Sequence, residues 1–306
     1  MKLLIREFMI VFGYVPSRRL GRSLGVNNIP YKYCTYSCVY CQLGRTENKI
    51  IERRSFYSVD EIITKVRKKI CELGKSNIDY ITIVPDGEPT LDINLGLEIR
   101  KLKEMGKVAV ITNSSLLFME DVRDDLKEAD LVSIKVDTFF EPTWKRINRP
   151  HKNLILNKIL FGILDFSKEY DGKLISETMV LEGFNDSKGE ILEIAKFLAK
   201  LKIERAYLSV PVRPPAENVR GPSYSKILKF KGILEKYVNC ELLVDLEKGR
   251  FAIGSLEDII AITSVHPLRE DIMNEYLKKL GLKIEEVKDK FDIIEYGDQK
   301  YYRRKV

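Results

Sequence analysis

Between Ser58 and Tyr237 short apolar runs alternate with longer amphipathic ones, a pattern that suits a parallel α/β domain and not an all-helical or antiparallel fold. SVDEIITKVRKKICELG opens on Ser58 as a candidate N-cap and places Ile62, Ile63, Val66, Ile70 and Cys71 at helical spacing. DYITIVP then reads as a short buried strand, INLGLEIRKLKEMG as helix, KVAVIT as strand, LLFMEDVRDDLKEA as helix and DLVSIKVD as strand. The cycle continues through LNKILFGILDFSKEY, KLISETMVLEG, GEILEIAKFLAKLK, RAYLSVPV and YSKILKFKGILEKY. With GRSLGVNNI as a strand ahead of Cys34, about six strand-helix units are expected. In such a domain function belongs at the C-terminal ends of the strands, where the crossover loops converge.

The 306 residues, 44% hydrophobic and 32% charged, suffice for one large domain and a small one, and they exclude a disordered chain. The apolar runs, such as Ile259 to Val265, fall short of the roughly 20 residues a bilayer span needs. Charges at Lys2, Arg6 and Glu7 and the lack of a small-residue cleavage site argue against a secretory leader, so a cytoplasmic protein is expected. Ten basic and four acidic side chains in residues 1–60 supply most of the net charge of +7. Such an excess suits a phosphate-bearing partner and equally a solvated basic surface.

Three of the five cysteines, Cys34, Cys38 and Cys41, crowd into CTYSCVYC, while Cys71 and Cys240 stand alone in segments where a buried thiol is expected. The spacing is too tight for structural disulfides in a reducing compartment and points to a metal site. Zinc wants four ligands, and the two histidines, His151 and His266, lie far along the chain. A cubane of four irons takes one thiolate per iron, so three cysteines leave one iron open for chemistry. Zinc and redox thiols remain the other readings of the cluster.

Cys34-x3-Cys38-x2-Cys41, with aromatic Tyr40 before the third cysteine, resembles the signature of radical S-adenosylmethionine (radical SAM) enzymes. The resemblance implies a [4Fe-4S] cluster on these three cysteines, S-adenosylmethionine chelating the open iron, and Tyr40 beside the adenine. VPSRRLGRSLGVNNIP, QLGRT, DGEPTL, ITNSSLL, SIKVD, INRPH and PVRPP extend it to a branch related to the tRNA wyosine-base synthases, from about Phe12 to Pro215. One departure is that archaeal wyosine synthases are expected to carry further cysteines for a second cluster, and only Cys71 and Cys240 are left here. The implied fold is a partial (β/α)6 barrel. The implied activity is reductive cleavage of S-adenosylmethionine to a 5′-deoxyadenosyl radical, fed by a one-electron donor such as flavodoxin or ferredoxin. The implied substrate is an unassigned molecule, with tRNA the first candidate and a peptide another.

The same resemblance assigns ligand contacts at the strand ends. In Asp86-Gly87-Glu88-Pro89 the glycine allows close backbone approach and a carboxylate can accept from the amino group of S-adenosylmethionine, whereas a surface Asp-Gly turn is the plain alternative. Asn113 and Ser114 end the third strand. Lys135 and Asp137 end the fourth and share one face; Asp137 is the candidate for the ribose and Lys135 for the methionine carboxylate, with a Lys135–Asp137 ion pair as the alternative. Arg18, Arg19 and Arg22, placed just ahead of the first strand, could anchor substrate or tie down barrel carboxylates. His151 reads as a loop histidine and Trp144 as packing.

From residue 251 the pattern changes. Two amphipathic helices, a third short one and a terminal β-rich pair around Gly297-Asp298 read as a small winged-helix-like domain over 251–306, after a barrel domain over 1–250. Such modules bind nucleic acid, protein or peptide, and ten basic against nine acidic residues in 265–306 do not decide between these uses. A redox-sensing iron-sulfur protein is the alternative that these parts would also serve.

Overall fold

The computed structural model describes residues 10–246 and 249–305. β1 (Val11–Ser17) and β2 (Gly21–Val26) form an antiparallel hairpin whose turn carries Arg18 and Arg19. Arg22 belongs to β2 itself, so the arginines are not a segment preceding the first strand, as the sequence reading had them. A short parallel ladder, β3 (Tyr33–Cys34) with β4 (Asn48–Lys49), brackets the cysteine loop. Then follow α1 (Val59–Leu73), β5 (Tyr80–Ile83), α2 (Leu95–Lys103), β6 (Val108–Ile111), α3 (Glu120–Lys127), β7 (Leu131–Lys135), α4 (Glu141–Asn148) and α5 (Leu156–Glu169). The domain ends with β8 (Lys173–Met179), α6 (Lys188–Leu198), β9 (Arg205–Ser209), α7 (Tyr224–Leu234) and β10 (Cys240–Leu243).

The eight-stranded sheet runs β1-β2-β5-β6-β7-β8-β9-β10, parallel from β2 onward. Spatial order follows chain order without reversal, so crossovers of one hand keep the helices on one face and the sheet curls around the other. Burial follows that division. Val26, Ile83, Val110, Ile134 and Leu208 pack outward against α-helical Ile62, Val66, Ile99, Val122 and Ile163 in the main core. The alternate positions Ala109, Leu131, Ile175, Tyr207 and Leu243 line the bore together with Leu20 from the hairpin turn. The result is the expected partial barrel, with β1 added at one edge and β10 at the other.

Cys240 is buried at the start of β10, but Cys71 is exposed. At 100° per residue Cys71 points well away from the stripe of Ile62, Ile63, Val66 and Ile70, so its place in an apolar-looking run does not bury it.

α2 also carries a wholly buried carboxyl, Glu98, which accepts from Asn28 Nδ2 at 3.0 Å. Burial, reinforced by Asp92 and opposed by Asn28, pushes its pKa up to about 8, against 4.5 for a free side chain. The folded chain therefore keeps a proton that the unfolded chain releases, and stability falls as pH rises between those values. The thermal midpoint should drop from about pH 5 to about pH 8, and Glu98→Gln should flatten part of that slope; an unchanged slope would show that Glu98 does not carry it.

The C-terminal module has the order α8 (Leu256–Val265), β11 (Leu268–Arg269), α9 (Glu270–Lys279), α10 (Ile284–Val287), β12 (Phe291–Tyr296) and β13 (Gln299–Arg304), with an antiparallel sheet β11-β13-β12. Gly297, at φ 59°, makes the β12–β13 turn. Its core of Ile259, Ile262, Met273, Leu277, Phe291 and Tyr302 includes Phe12 of β1, so the module is built onto the barrel edge. No described helix is long and apolar enough to cross a membrane.

Candidate active site

Cys34 closes β3, and the loop that follows is laid against the end of α4. Ser37 N donates to Asn148 O at 3.0 Å, Val39 N to Ile147 O at 2.9 Å, and His151 N to Thr35 O at 2.9 Å. The three thiols are unbonded and half-buried, and they line a single cavity of about 340 Å³ with residues that follow β5 and β9 and with Glu177 and Met179 of β8. Each sulfur also meets one side-chain N–H donor from a different part of the chain. Asn113 Nδ2 reaches Cys34 Sγ at 3.6 Å, Asn148 Nδ2 reaches Cys38 Sγ at 3.5 Å, and Lys32 Nζ reaches Cys41 Sγ at 3.3 Å.

Burial pushes the Cys34 thiol up to about 12 and the Cys38 thiol higher still, so by themselves these groups are neutral thiols. A bound cation in place of the proton would make them thiolates. Among the described residues no group of three or more His, Cys, Asp or Glu side chains is disposed to hold a single metal ion. A cubane asks for something different, one thiolate on each of three irons, and N–H donors at each sulfur are the surroundings such ligands favour. The donor set fits a [4Fe-4S] cluster.

Tyr40 lines the cavity, with Lys135 Nζ 5.0 Å from its ring centroid and its hydroxyl donating to the Asp137 carboxylate. Asp137 is buried and already engaged: it accepts from Asn148 Nδ2 at 2.8 Å and from Met179 N at 2.9 Å, and it lies 3.6 Å from Lys135 Nζ. Lys135 reaches Glu177 at 3.1 Å, and Glu177 also accepts from Ser209 Oγ at 2.9 Å and pairs with Arg19, which rises from the hairpin turn. Arg19 and Lys135 overcome the cost of burial and hold the Glu177 carboxyl far below the usual carboxylate range. Of the two roles open to the arginines, tying down carboxylates describes Arg19 with Glu177 and Arg22 with Asp79, while Arg18 donates to the Asp245 carbonyl.

Gly87 lines the cavity, and its close approach is to the chain's own backbone: an added Cβ would overlap the Tyr33 carbonyl. Glu88 is wholly committed, accepting from Thr90 N, Thr90 Oγ1, Thr112 Oγ1 and Asn113 N at 2.6–3.2 Å. Pro89 opens the buried 3-10 turn Pro89–Leu91. Asn113 faces the cysteine loop, donating also to Thr35 Oγ1 at 2.8 Å, and Ser114, at φ 69°, is buried and accepts from Lys135 N at 2.8 Å. Neither lines the cavity. Asp86 does, and one of its oxygens, Oδ1, is buried without a hydrogen-bond partner.

A model of the radical SAM superfamily matches residues 28–210. The chain belongs to that superfamily. It is therefore a radical SAM enzyme, and membership implies use of S-adenosylmethionine with a [4Fe-4S] cluster. The UPF0026 protein of Methanocaldococcus jannaschii is 45% identical over 309 residues, spanning 97% of this chain and 96% of that protein. Among solved structures the fold is similar to a radical SAM methyltransferase from Sphaerobacter thermophilus, at TM-score 0.57 and 17% identity over 78% of this chain and 69% of that one. It is also similar to TYW1 with a lysine-pyruvate adduct bound, at TM-score 0.52 and 18% identity over 77% and 82%.

Several residues around the cavity carried no assignment from sequence. Glu177 was readable in principle, since alternation on β8 puts it on the inner face with Ile175 and Met179. Asn148 sits in the INRPH motif, but nothing in the motif says that its amide reaches both Cys38 and Asp137. Gln42 opens the QLGRT motif, but nothing in the motif shows its role: it donates to Val265 O at 2.7 Å and accepts from Arg213 Nη1 at 3.1 Å, joining the cysteine loop to the C-terminal module and the segment after β9. Trp144 is buried, its Nε1 donating to Tyr36 OH at 3.1 Å, and His151 stays in its loop, accepting from Asn153 N at 3.3 Å.

Proposed function

We propose that Cys34, Cys38 and Cys41 hold the [4Fe-4S] cluster and that this chain cleaves S-adenosylmethionine reductively in the cavity they line, in a branch related to the tRNA wyosine-base synthases. The observation that carries the reading is the convergence of three half-buried thiols, each with its own N–H donor, on one cavity at the C-terminal ends of parallel strands. When bound, the cluster supplies the single electron that splits the sulfonium into methionine and a 5′-deoxyadenosyl radical. The chain's own part is to hold Tyr40 through Asp137 and Asn148, to fix Lys135 between Asp137 and Glu177, and to close the cavity wall with Val84 and Val265 so that water is kept from the reacting atoms. Anaerobically reconstituted protein given dithionite and S-adenosylmethionine should release 5′-deoxyadenosine; an intact cluster with no cleavage would instead favour a redox sensor.

The amino group of S-adenosylmethionine is assigned to Asp86, because its buried Oδ1 lacks a partner and the Glu88 carboxylate is saturated by four donors. Asp86→Asn should weaken S-adenosylmethionine binding about tenfold to a hundredfold, the value of a charge-assisted contact of roughly 1.5–3 kcal/mol, with the iron content unchanged. Burial pushes the Asp86 carboxyl up to about 7, so binding to the native protein should tighten as pH rises through that value. Equal affinity in Asp86→Asn, measured by calorimetry, would place the amino group elsewhere.

The substrate proposed is RNA, and its support is the motif resemblance alone. Among the described residues of 1–60, the basic side chains are engaged within the fold: Arg19, Arg22, Arg45 and Arg53 with carboxylates, Arg18, Lys32 and Lys49 with carbonyls, and Arg54 over the rings of Tyr33 and Phe56. Few phosphates could then be neutralised, and binding of total tRNA should show a shallow salt dependence. No binding at low salt would remove RNA and favour a peptide or small molecule.

A further inference from the structure

We propose that the Lys32 ammonium sets the reduction potential of the iron-sulfur cluster, holding it higher than the neutral donors at the other two cysteines would. This rests on the assignment of the cluster to Cys34, Cys38 and Cys41. Lys32 is 2% exposed, one of the largest fully buried side chains in the molecule. Its Nζ donates to Cys41 Sγ at 3.3 Å and to Gly44 O at 2.6 Å, so the charge is pinned against a ligand sulfur by a carbonyl of the same loop. Among the described residues no carboxylate is hydrogen-bonded to it in place of the sulfur. Its backbone sits at φ 59°, where glycine or asparagine is easier, and is fastened there by Lys32 N to Asp86 O at 3.1 Å and Asn48 N to Lys32 O at 3.3 Å. A long cation buried in a left-handed position is costly unless its charge has a use.

The asymmetry around the cluster gives that use. Cys34 and Cys38 receive neutral amide donors, Asn113 and Asn148, while Cys41 alone receives a full positive charge. The step affected is transfer of one electron from the external donor to the cluster: the cluster gains one negative charge, the donor is oxidised by one electron, and no proton moves. A fixed cation in a low-dielectric wall favours the more negative state, and hydrogen bonds to ligand sulfur act in the same direction. With Lys32 in place a modest donor can reduce the cluster.

The test is a potentiometric titration of the reconstituted protein followed by EPR. Lys32→Met and Lys32→Gln should each lower the midpoint by at least a tenfold change in the reduction equilibrium, about 59 mV for one electron, while Lys32→Arg stays near the native value. Gln keeps an N–H donor without the charge, so a native potential in Gln with a lowered one in Met would overturn the charge in favour of the hydrogen bond. Full iron content with native potentials in both would overturn the proposal outright. Should the neutral variants fail to load iron, pulsed EPR of reduced native protein carrying ¹⁵N-lysine decides: a nitrogen coupling from one lysine supports it, and no coupling overturns it. Absence of any cluster in the native protein is a separate outcome, and it fails the cysteine assignment.

Discussion

Alanine at Cys34, Cys38 or Cys41 removes most of the iron from anaerobically reconstituted protein, and alanine at Cys71 or Cys240 leaves it in place. The first three thiols line one cavity, whereas Cys71 lies exposed on α1 and Cys240 is buried at the start of β10. Losing one of three thiolates leaves two irons without protein ligands, and a Cys34 or Cys38 that survives without the cluster reverts to a neutral thiol, as their raised values require. Iron and acid-labile sulfide analysis reads the effect directly. Native-level iron in any one of the first three variants would mean that the cluster hangs on other groups. Fold stability should respond much less than iron content, because Cys34 and Cys38 are only partly buried against the main core and Cys41 is not among its side chains.

The barrel was legible because each unit buries a two-sided strand against an amphipathic helix, and that repetition survives in sequence as a change of period. β1 and β10 were not, since each is an edge strand outside the repeating unit, and in VNCELL four residues are too few to show a period. The cysteine spacing located the cluster site because the ligands are local. The carboxylates were harder. Asp86 and Glu88 are two residues apart, and which one is saturated depends on Thr112 and Asn113 after β6, donors that the local sequence cannot display. Lys135 and Asp137 do lie together, as alternation predicts, but Glu177 from β8 and Arg19 from the hairpin turn complete the group. A site assembled from a hairpin turn, strand ends and several crossover loops shows in sequence only where its parts are contiguous.

Gly87→Ala is expected to damage both fold and cluster, because the glycine there is required by the cysteine loop itself. A Cβ at Gly87 would overlap the Tyr33 oxygen and come within 2.8 Å of its carbon and 2.9 Å of Ile29 Cδ1. Two of these neighbours are backbone atoms, and they cannot turn aside as a side chain would. The segments are also clamped together on both sides of the contact, by Glu88 N to Tyr33 O at 3.0 Å and Lys32 N to Asp86 O at 3.1 Å. Relief therefore means moving β3, and Cys34 is the residue that follows Tyr33. Overpacking of this kind costs about 3 kcal/mol, read as a lower denaturation midpoint, and the displaced Cys34 should cut iron retention severely. Gly183→Ala supplies the contrast. Its φ of 75° makes alanine unfavourable, but no atom lies within 4 Å of the added Cβ, so it should cost about 1 kcal/mol and leave the iron untouched. If Gly87→Ala instead behaves like Gly183→Ala, the β5–α2 loop is not what holds the cysteine loop in register, and the clamp between Tyr33 and Glu88 has been given too large a part.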